Sequence, residues 1–202
     1  MLRQDRRSGP RSLIELVVIV AAALAFALLI QAVLVKPYRI PSESMEPTLD
    51  VGERVLVSRV NYHVSGPDRG DIVVFHPPAG ADGNRCGADH PPDEACPRPT
   101  PDRSNLNFIK RIVAVPGDRL SIENGHAVVN GKVQKDSFTK PCEGAGQCTY
   151  PRPIKIPPDH FFMMGDNRGA SDDSRFWGPV PKKWIIGQAF FTYWPPKRIR
   201  VL

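Results

Sequence analysis

The amino-acid sequence predicts a mostly β protein, an antiparallel β-sheet domain preceded by one amino-terminal transmembrane α-helix. Two observations predict the domain. The chain holds 22 prolines and 16 glycines, which favour turns over a helical bundle, and its later apolar runs are short and strand-like. The helix is predicted by one long apolar segment near the amino terminus. A length of 202 residues fits one domain with additions.

The apolar segment covers residues 16–35, and Gln31 is its single polar member. A helix of this length is about 30 Å long, which matches the hydrocarbon thickness of a bilayer. A cleaved leader is the alternative, but its apolar run is only about 7–15 residues long and ends at a small-x-small cleavage site. No such site follows here, so we expect a retained anchor over 14–35.

Basic residues flank the anchor on both sides, with more of them before it than after it. Lys36 and Arg39 follow the anchor, whereas four arginines precede it, at positions 3, 6, 7 and 11. The positive-inside bias therefore leaves the tail, 1–13, in the cytoplasm and the domain, 36–202, outside. The sequence predicts a single-pass membrane protein.

Short β-patterned runs recur after the anchor and predict the strands of the outer domain. These runs begin at Arg54, Asp71, Asn107, His126, His160 and Trp184. Asn124-Gly125 and Asn130-Gly131 predict tight hairpin turns on either side of the run HAVV. Two stretches rich in polar residues and proline, at about 77–103 and 135–153, interrupt the pattern and are predicted as surface insertions.

Each insertion contains one pair of cysteines, Cys86 with Cys96 and Cys142 with Cys148. Neither spacing is the Cys-x-x-Cys of a zinc or redox motif. Four cysteines allow three pairings, of which two local bridges are the simplest, and an oxidising compartment would let them persist. Metal binding is the alternative, disfavoured because no histidine is suitably clustered with the cysteines. We expect no metal and no cofactor.

The formal charge of +6 does not by itself indicate nucleic-acid binding. The basic residues are spread along the chain rather than gathered in one block, except near its ends. Aromatic residues are not interleaved with them as a base-stacking platform requires. We therefore expect no nucleic-acid partner.

The stretch PSESMEPTL, residues 41–49, carries two serines between two prolines. Pro47 disfavours a helical residue before it, so the backbone is expected to be extended or turned and able to present a hydroxyl. A hydrated loop is the ordinary interpretation, because a serine needs a base to become a nucleophile. No Gly-x-Ser-x-Gly frame is present, and none of the five histidines stands in a recognisable triad context.

Lys110, in the run FIKRIVAV, is the candidate base. A period-2 strand places its side chain on the face of Phe108, Ile112 and Ala114, with Arg111 on the opposite face. Apolar neighbours lower the pKa of an amine from about 10.4 and so favour its neutral form. A lysine at a strand edge whose ammonium reaches water is the alternative.

A third run, MGDNRGASDDSRFWG at residues 164–178, is polar but bounded by apolar residues. It predicts a loop held against the core. A calcium loop is the alternative, since the run holds Asp166, Asn167, Asp172 and Asp173. The spacing fails the Asp-x-Asp-x-Asp-Gly pattern and lacks the closing Glu.

Four ordered blocks after the anchor, PSESMEPTL, GDIVVF, FIKRIVAVPGD and GDNRGASDDSRFWG, resemble bacterial type I signal peptidases. The resemblance implies a membrane-anchored serine endopeptidase that removes signal peptides after small residues, in the pattern Ala-x-Ala, without a cofactor. It implies a bacterial plasma-membrane location. The implied partners are the signal peptides of translocated preproteins, the lipid bilayer and the secretion translocon.

The resemblance also implies roles for particular residues. Ser44 would be the nucleophile and Lys110 its general base. The Ser42 hydroxyl and the Ser44 backbone N–H would form the oxyanion hole, with both serine side chains on one side of an extended strand. Ser171 would hold the lysine amine. The other supporting residues would be Gly165, Asp166, Asp173 and Arg175. Substrate-lining residues, placed by position, would be Ile40, Met45, Leu49 and Ile109.

Two other functions fit parts of the pattern. An inactive scaffold on the same fold is disfavoured because Ser44, Lys110 and Ser171 are all present. A self-cleaving transcriptional repressor shares the Ser–Lys chemistry but needs a DNA-binding helical module.

Phe161 and Trp194 are predicted as exposed apolar residues that touch lipid.

Overall fold

Helix α1, Pro10–Leu34, covers nearly all of the predicted anchor and runs directly into the first strand. The structure is a computed structural model that describes residues 10–60, 62, 66–142 and 148–202, without the side chains of 10–12 and 29–33. Residues 1–9 of the predicted tail lie outside this part. Within the described part of the chain, no helix has both the length and the apolar character needed to cross a membrane.

The described residues contain twelve strands in two antiparallel sheets. The strands are β1 (Val35–Arg39), β2 (Arg54–Ser58), β3 (Ile72–Phe75), β4 (Phe108–Ala114), β5 (Arg119–Glu123), β6 (His126–Val129), β7 (Lys132–Val133), β8 (Tyr150–Lys155), β9 (His160–Met164), β10 (Val180–Pro181), β11 (Ile185–Trp194) and β12 (Arg200–Val201). The larger sheet has the order β1-β2-β11-β3-β4-β9-β10, with β12 beside β11. The smaller sheet has the order β7-β6-β5-β8. A short helix α2, Ser174–Trp177, lies between β9 and β10. The predicted antiparallel β class is confirmed.

All six predicted β runs contain strands, but β1, β5, β8, β10 and β12 were not predicted. β8 starts at Tyr150, so the second insertion ends before the predicted boundary at 153. β8 contains two prolines and β1 contains one, which is why neither stretch looks like a strand in the sequence. Both strands lie at the edge of a sheet, where a residue without an N–H is tolerated.

The Asn-Gly turns are confirmed. Asn124 and Gly125 connect β5 to β6, and Asn130 and Gly131 connect β6 to β7. All four residues have positive φ, between 49° and 82°. This backbone conformation suits Asn and Gly and closes a two-residue hairpin.

Strand β4 lies between β3 and β9, near the middle of the larger sheet, and this position buries its side chains on both faces. One core cluster packs under the segment after β1 and includes Ile40, Met45 and Leu49. The lipid-contact prediction for Phe161 is wrong, because Phe161 is buried in a second cluster. Trp194 is half exposed at the end of β11.

The cysteines pair locally, with disulfides between Cys86 and Cys96 and between Cys142 and Cys148. His90 lies beside the first disulfide, with a ring nitrogen and both sulfurs within 4.8 Å of one another. The expectation that no histidine clusters with these cysteines is therefore wrong. Zinc binds cysteine as thiolate, and the sulfurs of a disulfide are not thiolates. We therefore interpret this group as a disulfide with a histidine beside it rather than as a metal site.

Candidate active site

Ser44 lies in a 3-10 turn, Glu43–Met45, that follows β1. The extended strand expected for both serines is wrong, because only Ser42 is extended and the turn begins after it. The turn still brings the Ser42 and Ser44 hydroxyl oxygens to 3.4 Å from each other. Ser44 is buried, whereas Ser42 is exposed. The buried Ser44 hydroxyl needs a polar partner.

Lys110 supplies that partner from strand β4. Its Nζ atom lies 2.6 Å from Ser44 Oγ, a distance over which a proton passes directly. Only 5% of the Lys110 surface is exposed, and Nζ stands 5.8 Å from the centroid of the Phe108 ring. Among the described residues, Ser44 is the one hydrogen-bond partner of the Lys110 side chain.

Burial lowers the pKa of Lys110 from 10.5 to about 8. The Asp173 carboxylate acts in the opposite direction and raises it, but by less than burial lowers it. With a pKa of about 8, roughly one amine in ten is neutral at pH 7. This lysine is therefore able to accept a proton near neutral pH, which an exposed lysine is not.

A buried ion pair organises the segment behind the lysine, residues 165–175, which we call the loop. The Asp173 carboxylate accepts hydrogen bonds from Arg175 Nε at 2.8 Å and Nη2 at 2.9 Å. It also accepts from the Gly165 N–H at 3.0 Å and the Ser171 hydroxyl at 2.8 Å. Burial alone would raise the pKa of Asp173, but the ion pair with Arg175 outweighs it and leaves the pKa lowered. Ser171 is thus tied to Asp173, and no hydrogen bond joins it to Lys110 among the residues described.

Gly165 lets this loop approach the turn Glu43–Met45 closely. We call this turn the nucleophile turn, after the role predicted for Ser44. A Cβ atom at Gly165 would lie 2.3 Å from Ser171 Oγ and 2.4 Å from the Ser44 carbonyl oxygen. Both distances are far inside van der Waals contact. The close backbone approach expected at Gly165 is present, and a side chain there has no room.

Asp166 braces the same turn from another direction. Its carboxylate accepts from Arg111 Nε at 2.9 Å and Nη2 at 2.7 Å, and from the Thr48 hydroxyl at 2.5 Å. These bonds connect β4, the loop and the segment after Ser44. Sequence reasoning missed Arg111 and Thr48 as site residues, although both lie inside the quoted blocks.

Both insertions contact the loop through its backbone. The Cys96 N–H donates to the Arg175 carbonyl at 2.9 Å, and the Lys140 N–H donates to the Asp166 carbonyl at 2.9 Å. Each disulfide therefore lies in a segment that holds the loop in place. This relation was invisible in the sequence, where the insertions stand apart from the four blocks.

A cleft of about 380 Å³ opens onto Ser44 and Lys110. Its lining residues are Pro41, Ser42, Glu43, Ser44, Asn107, Phe108, Ile109, Lys110, Ala170 and Asp172. A larger cavity of about 950 Å³, around Arg59 and Lys183, contains neither reactive residue, so we place the site in the smaller one.

Of the four residues predicted to line the substrate, only Ile109 reaches the cleft. Ile40, Met45 and Leu49 are at most 1% exposed and pack in the cluster beneath the nucleophile turn. The sequence shows that these side chains are apolar and near Ser44. It does not show whether they face the cleft or the core.

A buried lysine in hydrogen-bond contact with a serine at the floor of a cleft is the arrangement expected of a serine hydrolase that uses lysine as the base. Residues 13–194 match the family model described as signal peptidase, peptidase S26. The chain therefore belongs to the signal peptidase family, and the resemblance of the four blocks is confirmed. It is a peptidase of the family that removes signal peptides from preproteins.

Two sequence relatives agree with this assignment. The chain is 35% identical to signal peptidase I of Leptolyngbya laminosa, over 97% of this chain and 88% of that protein. It is 38% identical to a probable thylakoidal processing peptidase 2 of Arabidopsis thaliana, over 88% of this chain and 43% of that protein. A crystal structure of a signal peptidase I from Enterococcus faecalis matches with 20% identity and a TM-score of 0.37, over 60% of this chain and 95% of that one.

Proposed function

We propose that the chain cleaves signal peptides by acyl transfer, with Ser44 as nucleophile and Lys110 as general base. The observation that supports this is the 2.6 Å separation of Lys110 Nζ and Ser44 Oγ in a buried position. Burial is what keeps part of the amine neutral, and the short distance is what lets it take the proton.

The reaction runs in two halves. Neutral Lys110 takes the hydroxyl proton while Ser44 Oγ attacks the scissile carbonyl carbon, and the protonated amine then donates to the leaving amine. Water attacks the resulting ester while Lys110 accepts a proton from it. Lys110 then returns that proton to Ser44 Oγ as the ester bond breaks and the carboxyl product leaves. Every proton in this scheme moves through Lys110 or water, so the proposal calls for no metal and no cofactor.

The oxyanion of each tetrahedral intermediate would be held by the Ser42 hydroxyl and the Ser44 backbone N–H. Without substrate, the Ser42 hydroxyl lies 3.4 Å from Ser44 Oγ, close enough to turn toward a bound carbonyl oxygen. One such donor contributes about 3–4 kcal/mol to the transition state. Asp173, Arg175, Gly165 and Ser171 would hold the loop against this turn, and Asp166 would add to the bracing.

Substrate would lie in the cleft as an extended strand, whose alternate side chains point the same way. Ile109 offers an apolar wall beside Ser44, which suits a small side chain at the cut. We extend this to the pattern Ala-x-Ala. The deeply buried Ile40, Met45 and Leu49 would support this wall from below rather than touch the peptide.

Residues 14–35 would anchor the chain in the bacterial plasma membrane, with the amino terminus cytoplasmic and residues 36–202 outside. The support is the apolar segment and the arginine bias before it. This placement would hold the cleft where a signal peptide emerges from the translocon. Resistance of the membrane-bound protein to alkaline carbonate tests the anchor, and release into the supernatant would refute it.

The catalytic proposal is tested with a preprotein that carries Ala-x-Ala before the cut and the detergent-solubilised full chain. Cleavage is expected from the parent and none from Ser44→Ala or Lys110→Met. Ser121→Ala and Lys132→Met, on the smaller sheet, are matched controls that should cleave normally. Cleavage by Ser44→Ala at the parent's rate would overturn the assignment.

A further inference from the structure

Asn167 donates two hydrogen bonds to the nucleophile turn. Its backbone N–H donates to the Ser44 carbonyl at 3.1 Å, and its side-chain Nδ2 donates to the Glu43 carbonyl at 3.2 Å. Asn167 is buried, with 7% of its surface exposed. A buried amide side chain needs hydrogen-bond partners, and the Glu43 carbonyl is one of them.

The Glu43 carbonyl matters because of the atoms that share its peptide group. The C=O of Glu43 and the N–H of Ser44 belong to the same amide plane. A donor on that oxygen polarises the amide and makes the N–H on its other side a stronger donor. The Glu46 N–H donates to the same oxygen at 3.0 Å, so the amide is polarised by two groups.

Asn167 is itself fixed by its surroundings. Its carbonyl accepts from the Ala170 N–H at 3.1 Å, which closes the turn that carries it. The residues before it are Gly165, packed on the nucleophile turn, and Asp166, ion-paired with Arg111. The side-chain amide of Asn167 is therefore held in a fixed position next to the Glu43 carbonyl.

We propose that Asn167 is a positioning residue for the oxyanion hole, which orients and polarises the amide between Glu43 and Ser44. This inference rests on the proposed function, in which the Ser44 N–H donates to the oxyanion. Asn167 is not among the residues that line the cleft, and it acts through the Ser44 peptide group. In the sequence, Asn167 stands out only as a candidate calcium ligand.

The test compares Asn167→Leu and Asn167→Ser in the full chain with Gln134→Leu as control. Leucine has a similar shape without a donor, and serine is polar but too short to reach Glu43. Gln134→Leu removes another hydrogen bond from a side-chain amide to a backbone carbonyl, the 2.9 Å bond to Val113, and leaves the amide before Ser44 untouched. We expect kcat to fall about tenfold in both Asn167 variants, less than for a direct donor, with KM unchanged. Gln134→Leu should keep both constants.

A peptide aldehyde separates the oxyanion effect from loss of structure. Ser44 Oγ adds to its carbonyl carbon and the carbonyl oxygen becomes the oxyanion, while Lys110 takes the hydroxyl proton. Inhibition by the aldehyde should weaken in the Asn167 variants by the same factor as kcat/KM falls. Binding of the matching peptide alcohol, which forms no oxyanion, should be unchanged.

A parent-like kcat in both Asn167 variants would overturn the inference, as would equal weakening of aldehyde and alcohol. In either case the inactivity of Ser44→Ala would leave the proposed function intact. If Ser44→Ala cleaves instead, the proposed function fails and takes this inference with it. Thermal unfolding of each variant identifies one that does not fold, and the other Asn167 variant then decides.

Discussion

Replacing Lys110 with methionine should stabilise the protein at neutral pH while abolishing cleavage. The side chain is buried, with 5% of its surface exposed, so its charged form is held away from water. Methionine has a similar length and no charge, and it fills the same space in β4. The variant would exchange a buried ammonium group for an apolar side chain that suits the core.

The magnitude follows from the pKa of the lysine. A pKa of 10.5 in the unfolded chain and about 8 in the folded protein corresponds to about 3 kcal/mol, at about 1.36 kcal/mol per unit. Loss of the hydrogen bond to Ser44 offsets about 1 kcal/mol of this at every pH. At neutral pH we therefore expect Lys110→Met to raise the free energy of unfolding by about 2 kcal/mol.

The pH dependence has a definite sign. Between pH 8 and 10.5 the unfolded chain holds the Lys110 proton and the folded protein has lost it, so the parent gains stability as pH rises. Below pH 8 both states are charged and the full penalty of burial is present. Above pH 10.5 both states are neutral and the penalty is gone. The advantage of Lys110→Met should therefore shrink by about 3 kcal/mol across this window.

The assay is urea unfolding of the detergent-solubilised chain at a series of pH values, followed by tryptophan fluorescence. Trp177 and Trp184 are buried in the β body and report its unfolding. Ser44→Ala is the control, because it removes the same hydrogen bond but keeps the charge. It should be about 1 kcal/mol less stable than the parent, with the same dependence on pH. A stability difference between parent and Lys110→Met that does not change from about pH 7 to 10.5 would refute the reasoning.

Three further predictions follow from the site. The kcat/KM for cleavage should rise with pH through an apparent pKa of about 8, as Lys110 loses its proton. Gly165→Ala should lower cleavage by at least about 100-fold, because the methyl has no room. Gly83→Ala, with open space around it, should cleave normally. Asp173→Asn should lower the free energy of unfolding by about 3–5 kcal/mol, and the half-exposed Asp93→Asn by less than about 1 kcal/mol.

Each of these has a result that contradicts it. A profile that is flat from about pH 6 to 10 would exclude Lys110 as the base. Equal activity of the Gly165 and Gly83 variants would show that the loop can shift to accommodate a methyl group at position 165. Equal urea midpoints for the Asp173 and Asp93 variants would show that the buried ion pair does not stabilise the fold.

The sequence by itself determined the features that depend on near neighbours. The Asn-Gly pairs require positive φ, so their hairpin turns follow from two residues each. Alternating apolar residues determine the strand containing Lys110. The four ordered blocks determine the family, because each is long and their order agrees. β1 and β8 escaped prediction because their prolines are tolerated only at a sheet edge, and position in a sheet is not a local property.

Only the tertiary structure decided how the separated blocks meet. Ser44 and Lys110 are 66 residues apart, and their 2.6 Å contact depends on the turn after β1 packing over the middle of the larger sheet. The same packing put Ile40 in the core rather than the cleft and placed Asn167 on the Glu43 carbonyl. Burial, and the pKa it lowers, belongs to the assembled fold, since no short segment excludes water from its own side chains.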